Sequence, residues 1–179
     1  MSIATEVDRI PHPIAPGREM GDVRRFFPDV TWTGTIQEGG MGPGTPAMTA
    51  TGRGTHEVIQ DGRWVVGTYE QDQFLTDGTF ILTWQLHWVA GWVPESTEYR
   101  ATMADNYGHA DVYRGWIDGD RLTFESFPDK PVRMRFTWDV TDPADIRWRN
   151  EMAVGDGEWF LIEEYRMVPQ PFGHGSRGG

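Results

Sequence analysis

Cysteine is absent from this chain of 179 residues, and lysine is nearly absent, because Lys130 is the only one among 16 basic residues. Without cysteine, the chain cannot form disulfides, thiolate nucleophiles, zinc ribbons or iron–sulfur clusters. It also lacks a run of about 18 apolar residues and a basic N-terminal segment followed by an apolar one. We therefore expect a cytoplasmic protein.

The balance of charge is strongly negative, with 27 acidic residues and a net charge of −11. Such a chain repels phosphate backbones and anionic lipid surfaces, so we expect neither nucleic acid nor a membrane as a partner. Hydrophobic residues make up 38% of the chain and aromatic residues 13%. This length and composition predict one domain around a single core, with a homodimer left open.

The two ends of the sequence differ from its middle. Residues 1–17 carry three prolines and no amphipathic period, which predicts an extended arm, and residues 169–179 predict a disordered tail. The domain is expected to cover residues 18–168. Apolar residues spaced by three and four near its start predict one short helix, which Pro28 ends. The glycine- and proline-rich residues 37–47 predict a loop.

The rest of the domain alternates apolar and polar residues, which is typical of half-buried strands. VRMRFTWDV (132–140) is the clearest case, with an apolar side chain at every second position. Turn sequences such as Asp61-Gly62 and Gly155-Asp156-Gly157 separate these segments. We count nine or ten strands and no alternation of strand with helix, which predicts an all-β fold.

Three tryptophans at positions 84, 88 and 92 fit one side of a helix or one side of a strand. Residues 79–88 alternate strictly, while Gly91 and Pro94 interrupt the segment, so we interpret it as a strand. A meander of this many antiparallel strands hides its edges best by closing. The sequence thus predicts an antiparallel β-barrel of about nine to ten strands with one short N-terminal helix.

DGRWVVGTYEQDQF (61–74) and YGHADVYRGWIDGDRLTFES (107–126) resemble the bacterial domain-of-unknown-function family 1579. That family's pattern is a Gly-Arg-Trp strand ending in Glu or Tyr, then a Tyr-containing strand closing in Trp-x-Asp. The resemblance extends to Trp32-Thr33-Gly34 and Glu164-Tyr165-Arg166, and covers about residues 18–168. It implies a lipocalin-like, calycin-type barrel and transfers no activity.

His109, Asp111 and Tyr113 alternate along one strand and can converge on one bound molecule. A histidine beside a carboxylate is a natural general base, and a tyrosine can donate to a developing oxyanion. We therefore predict that all three are catalytic. The alternative is that Asn106–Gly108 form a turn that leaves His109 in water.

Glu163 is the fourth catalytic candidate. It falls on an apolar face with Trp159 and Tyr165, and burial there would raise the pKa of its carboxyl into a range useful for acid/base chemistry. The alternative is a structural ion pair with Arg149 or Arg166.

Large rings that point into a barrel either pack solidly or line a cavity suited to flat ligands, and we expect a cavity. The residues predicted to contact a ligand are Trp64, Tyr69, Trp84, His87, Trp88, Trp138, Trp148, Asn150 and Trp159. His87 would face solvent if the tryptophans point inward, and a satisfied core amide is the alternative for Asn150. No metal or cofactor is predicted, because no third ligand stands at metal spacing.

Two functions from different classes fit this sequence. The first is a cofactor-independent enzyme that holds a hydrophobic, polyketide- or terpenoid-like molecule and catalyses cyclisation, isomerisation or dehydration. The second is a non-catalytic carrier or sensor for an apolar or haem-like ligand. An inward polar group with a shifted pKa would favour the enzyme, and a wholly apolar pocket would favour the carrier.

Overall fold

The computed structural model describes residues 15–171. Here one α-helix and ten β-strands follow one another along the chain. They are α1 Arg18–Arg24, β1 Val30–Ile36, β2 Met48–Ile59, β3 Trp64–Leu75, β4 Phe80–Val93, β5 Glu98–Asp105, β6 Ala110–Asp118, β7 Arg121–Ser126, β8 Val132–Asp139, β9 Ile146–Val154 and β10 Phe160–Pro169. Most of the predicted arm and tail falls outside the described residues.

The strands form a closed antiparallel barrel in which each strand pairs with the next along the chain. The pairing of β1 with β10 closes the ring, with Trp32 opposite Met167. Every strand therefore has both neighbours, and the closure leaves no long free edge in the described part of the chain. The prediction of an all-β barrel with one short helix is confirmed.

The tryptophan-rich segment forms β4, as its alternation predicted. Trp88 is buried in the barrel, and Trp84 packs against the same core. His87, which precedes Trp88 in the chain, is exposed on the outer face. The tryptophan spacing of four therefore reflects the period of two in a strand.

The helix α1 covers one end of the barrel. The backbone N–H of Trp92 donates to Met20 Sδ at 3.3 Å, and the Tyr99 hydroxyl donates to the Glu19 carbonyl at 2.9 Å. Just after the helix, Phe27 lies edge-on to Trp138, with ring centroids 5.6 Å apart. These contacts hold the helix against the ends of several strands and exclude water from this half of the interior.

Aromatic rings fill the half of the barrel beneath α1. Trp88 stacks on Tyr113, and Trp148 stacks on Tyr165 with centroids 4.9 Å apart. Gly52 on β2 makes room for one of these rings, because a Cβ there would lie 2.3 Å from Trp32 Cζ2. The indole of Trp32 crosses β2 at this point and donates from Nε1 to Gln71 Oε1 on β3, at 3.1 Å.

Within residues 15–171, no helix is long and apolar enough to cross a membrane.

Candidate functional site

The half of the barrel opposite α1 is hollow. A cavity of about 930 Å³ opens between the β1–β2 loop, the β5–β6 turn and the first residues of β8. Its walls are mostly apolar, with Leu82, Met103, Met134 and Phe136 among them. A cavity of this size, lined by apolar side chains and a few polar ones, is typical of a small-molecule site.

Polar side chains gather where the cavity meets the aromatic core. Gln73, Asn150 and Glu163 line it there and are 1%, 7% and 5% exposed. Gln71 and Tyr165, on the same strands as Gln73 and Glu163, continue this polar group toward Trp32. We call these five residues the polar floor.

The polar floor contains several atoms without a hydrogen-bond partner among the described residues. They are both side-chain polar atoms of Gln73 and Oδ1 of Asn150. A buried polar atom without a partner costs about 1 to 3 kcal/mol, so native proteins keep few of them. Such a cluster beside a cavity is complementary to a bound polar group.

A β-bulge delivers Glu163 to the polar floor. The register of β10 against β9 shifts between Leu161 and Glu163, so that Glu163 pairs with Asn150 while Ile162 adds one residue to the strand. Consecutive residues Ile162 and Glu163 are therefore both buried. The prediction that Glu163 shares a face with Trp159 is wrong for this reason.

Glu163 forms no ion pair with the arginines considered for it. Arg166 pairs with Asp145 at 2.6 Å, and Arg149 approaches Glu164 at 4.0 Å. Burial raises the pKa of Glu163 to about 7, against opposing effects of the neighbouring Tyr165 hydroxyl and Asn150 amide. Burial and the adjacent Glu163 also raise the pKa of Tyr165, so its hydroxyl stays protonated. The carboxyl can therefore release or take up a proton near neutral pH.

His109 lies at the cavity mouth, and its side chain is 71% exposed. Its partner is Asp105, which accepts from the His109 ring Nδ1 at 3.0 Å and from the His109 backbone N–H at 2.9 Å. Partial burial opposes ionisation of Asp105, but these hydrogen bonds and one from Trp84 hold the pKa of its carboxyl below the usual value. The Asp105 carboxylate thereby shapes the turn before β6.

Asp111 and Tyr113 also line the cavity, yet neither bonds to His109 in the described structure. Asp111 pairs with Lys130 at 3.0 Å. The Tyr113 hydroxyl donates to Met103 Sδ at 4.0 Å, and burial raises the pKa of that hydroxyl. All four predicted catalytic residues therefore face one cavity, with His109 at its mouth and Glu163 at its floor. Their catalytic roles stay predictions.

The residues predicted to contact a ligand separate into three groups. Trp84 and Asn150 line the cavity. Four others are buried in the aromatic core beneath it, namely Tyr69, Trp88, Trp138 and Trp148. The remaining three lie elsewhere: Trp64 near α1, His87 on the outer face, and Trp159 under the guanidinium groups of Arg133 and Arg135.

Sequence reasoning missed Gln71, Gln73 and Asp105. The first two follow Val65 and Tyr69 at intervals of two or four on the inward face of β3, so strict alternation could have identified them as buried amides. No alternation of apolar and polar residues marks Asp105. Its role depends on the β5–β6 turn, where it accepts hydrogen bonds from residues that follow it in the chain.

The carboxylate side chains that line the cavity have no basic counterpart among the lining residues in the described part of the chain. Asp105, Asp111 and Glu163 line it, whereas within residues 15–171 no arginine or lysine does. Lys130 reaches only the rim, where it pairs with Asp111. No group of three His, Asp or Glu side chains in that range has an arrangement that could hold a metal ion. The cavity is therefore apolar at its walls and acidic or neutral at its polar points.

A second depression, of about 830 Å³, lies beside α1. Charged side chains line it, and most of them form ion pairs, among them Arg25 with Asp120 and Arg114 with Glu125. Charged, paired side chains suit a solvated surface better than an apolar ligand. The cavity inside the barrel is the candidate site.

Comparisons with known proteins show the fold alone. No family model matches the chain, so the resemblance to domain-of-unknown-function family 1579 is not confirmed, and no curated protein matches it either. The crystal structure of Rv2717c from M. tuberculosis is similar, with a TM-score of 0.58 and 11% sequence identity. The match covers 87% of this chain and 99% of that one. The two proteins share a barrel architecture across nearly the whole domain.

Proposed function

We propose that this barrel is a cofactor-independent enzyme that holds a largely apolar, polyketide- or terpenoid-like molecule in its cavity. Glu163 serves as the acid or base for a cyclisation, isomerisation or dehydration. The observation that carries this proposal is the position of the Glu163 carboxyl, buried at the floor of an apolar cavity. We also infer a lipocalin-like relationship, which the closed ten-stranded meander supports.

Glu163 fits either direction of proton transfer. With its pKa near 7, the protonated carboxyl can donate to a carbonyl or hydroxyl oxygen of the ligand, and the carboxylate can remove a proton from carbon next to a carbonyl. The apolar walls exclude water and hold one ligand conformer against the Glu163 side chain. Tyr113 lines the same space, and its protonated hydroxyl can exchange its long contact with Met103 Sδ for a hydrogen bond to the ligand.

A non-catalytic carrier or sensor is the second candidate. It is favoured by the hydrogen bond between His109 and Asp105 and by the ion pair between Asp111 and Lys130, because groups with such partners at the mouth are less available for proton transfer. His109 is the only histidine that lines the cavity in residues 15–171, and it is largely exposed. The geometry therefore favours an apolar ligand over a haem-like one.

Binding is tested first, by native mass spectrometry of freshly purified protein and by tryptophan fluorescence during titration with flat hydrophobic compounds. We expect a co-purified mass or saturable quenching. Met103→Trp places a ring in the cavity and should weaken binding at least tenfold. Its control, Thr102→Trp, adds the same ring on the outer face of β5 and should change nothing. Equal binding by the two variants would contradict a site in this cavity.

Catalysis is tested on the compound so identified. Glu163→Gln removes the proton-transfer group and should lower turnover at least a hundredfold while binding persists. The matched control is Glu164→Gln, which changes the exposed neighbour on the same strand and should leave the rate unchanged. His109→Ala reports on the mouth residue. Unchanged turnover in Glu163→Gln would eliminate the acid/base proposal and leave the carrier.

A further inference from the structure

The polar floor constrains the ligand more narrowly than size and apolarity do. On the residues that line the cavity, its atoms without partners include one donor, Nε2 of Gln73, and two acceptors, Oε1 of Gln73 and Oδ1 of Asn150. Gln73 has neither of its polar atoms paired and is 1% exposed. A ligand group satisfies this set only if it both accepts and donates hydrogen bonds.

The charge of the head group limits the class of ligand further. An ionised carboxylate offers acceptors only, would leave Gln73 Oε1 and Asn150 Oδ1 unpaired, and would lie beside Glu163 without a compensating arginine or lysine in the described cavity wall. An ammonium group offers donors only and would leave Gln73 Nε2 unpaired. Either ion would also lose its hydration on entering an apolar cavity.

We propose that the cavity selects a ligand with a neutral head group that both donates and accepts hydrogen bonds, such as a lactam, primary amide or hydroxy-ketone, and discriminates against carboxylates and amines of the same chain length. The head group lies at the polar floor with Gln73 as its principal partner, and the apolar remainder extends toward the mouth. This inference rests on the proposed function, since it specifies the ligand of the same cavity.

The test compares dodecanamide, dodecanoate and dodecylamine as competitors of bound Nile red at pH 6, where the Glu163 carboxyl is mostly protonated and does not pair with the amine, and below the concentrations at which they form micelles. The three share one chain and differ in the head group. We expect dodecanamide to displace the dye at least tenfold more effectively than either charged compound. Equal or stronger displacement by dodecanoate or dodecylamine would overturn the inference while leaving a ligand cavity in place. If Nile red itself did not bind, the proposed function would fail as well.

Gln73→Leu then tests the assigned partner. This change keeps the volume and removes both unpaired atoms, so the advantage of dodecanamide should fall at least tenfold. Gln85→Leu makes the same change at an exposed position on β4 and should keep that advantage. A full advantage in Gln73→Leu, in protein with an unchanged far-ultraviolet circular dichroism spectrum, would refute the role of Gln73. The comparison of head groups on the unaltered protein does not depend on whether either variant folds.

Discussion

At the scale of single residues, the barrel interior contains two buried glutamines that differ in one respect. Gln71 and Gln73 are nearly without exposure and both face inward from β3. Gln71 Oε1 accepts from Trp32 Nε1, whereas neither polar atom of Gln73 has a partner in residues 15–171. Removing a satisfied amide leaves its partner unpaired, and removing an unsatisfied one removes a cost.

Gln73→Leu and Gln71→Leu should therefore change stability in opposite directions. We expect the first to raise the free energy of unfolding of the ligand-free protein by about 1 to 3 kcal/mol, because a buried amide without partners is replaced by an apolar group of similar volume. The second should lower it by a similar amount, since Trp32 Nε1 loses its acceptor. Urea denaturation of both variants checks this. Destabilisation of equal size in the two would mean that Gln73 is satisfied in the folded protein.

At the scale of elements, two irregular features position the site. The bulge in β10 turns Glu163 inward beside Ile162, and α1 seals the opposite end of the barrel. The helix is seven residues long, too short to be stable alone, so its contacts with the barrel hold it in place. The half it covers is filled with rings, and the other half is left for a ligand.

Phe27→Ala should destabilise the protein without affecting ligand binding. Phe27 packs against Trp138 and His56 under α1, and its loss should cost about 3 to 5 kcal/mol of unfolding free energy through the cavity it leaves. Phe80→Ala is the control, because Phe80 is exposed at the open end and should cost about 1 kcal/mol or less. Thermal denaturation measures both. A Phe27→Ala variant as stable as Phe80→Ala would show that α1 does not close the barrel in solution.

At the scale of the whole molecule, two buried groups at opposite ends give stability opposing dependences on pH. Burial raises the pKa of Glu163 from its ordinary value of 4.5 to about 7, so the unfolded chain loses this proton first and stability falls as pH rises through that window. Burial lowers the pKa of His56 from 6.5 to about 4, against the raising effects of Asp29 and the Pro28 carbonyl. Because of His56, the free energy of unfolding falls as pH drops below 6.5.

Glu163→Gln should separate the pH dependence due to Glu163 from that due to His56. Relative to the variant, the unaltered protein is expected to lose about 3 kcal/mol of unfolding free energy between pH 4.5 and pH 7, as the unfolded chain gains a carboxylate that the folded core resists. The variant should in turn become more stable from pH 4 to 6.5, following His56. Urea midpoints at pH 4.5, 5.5, 6.5 and 7.5 measure both slopes. Parallel curves for the two proteins would show that Glu163 is not buried as a neutral acid.

Much of the architecture could be predicted because a strand's period is local. The alternation in residues 132–140 places Phe136 and Trp138 inward, and the same rule at residues 79–88 separates Trp84 and Trp88 from His87. Alternation fails at one bulge, where Ile162 and Glu163 are both buried, because an inserted residue leaves no mark in the pattern of apolar residues. Alternation therefore placed Glu163 correctly on the same face as Tyr165 but wrongly on the same face as Trp159.

The sequence by itself determined the class of fold, the inward and outward faces of its strands, and the absence of cysteine chemistry, since each depends on residue types and short spacings. Only the tertiary structure decided that the rings of Trp88, Trp138 and Trp148 form a solid core while Trp84 faces a cavity. It also decided that His109 pairs with Asp105. These outcomes depend on barrel closure, on how side-chain volumes fill each half and on where a turn returns the chain, which no local period encodes.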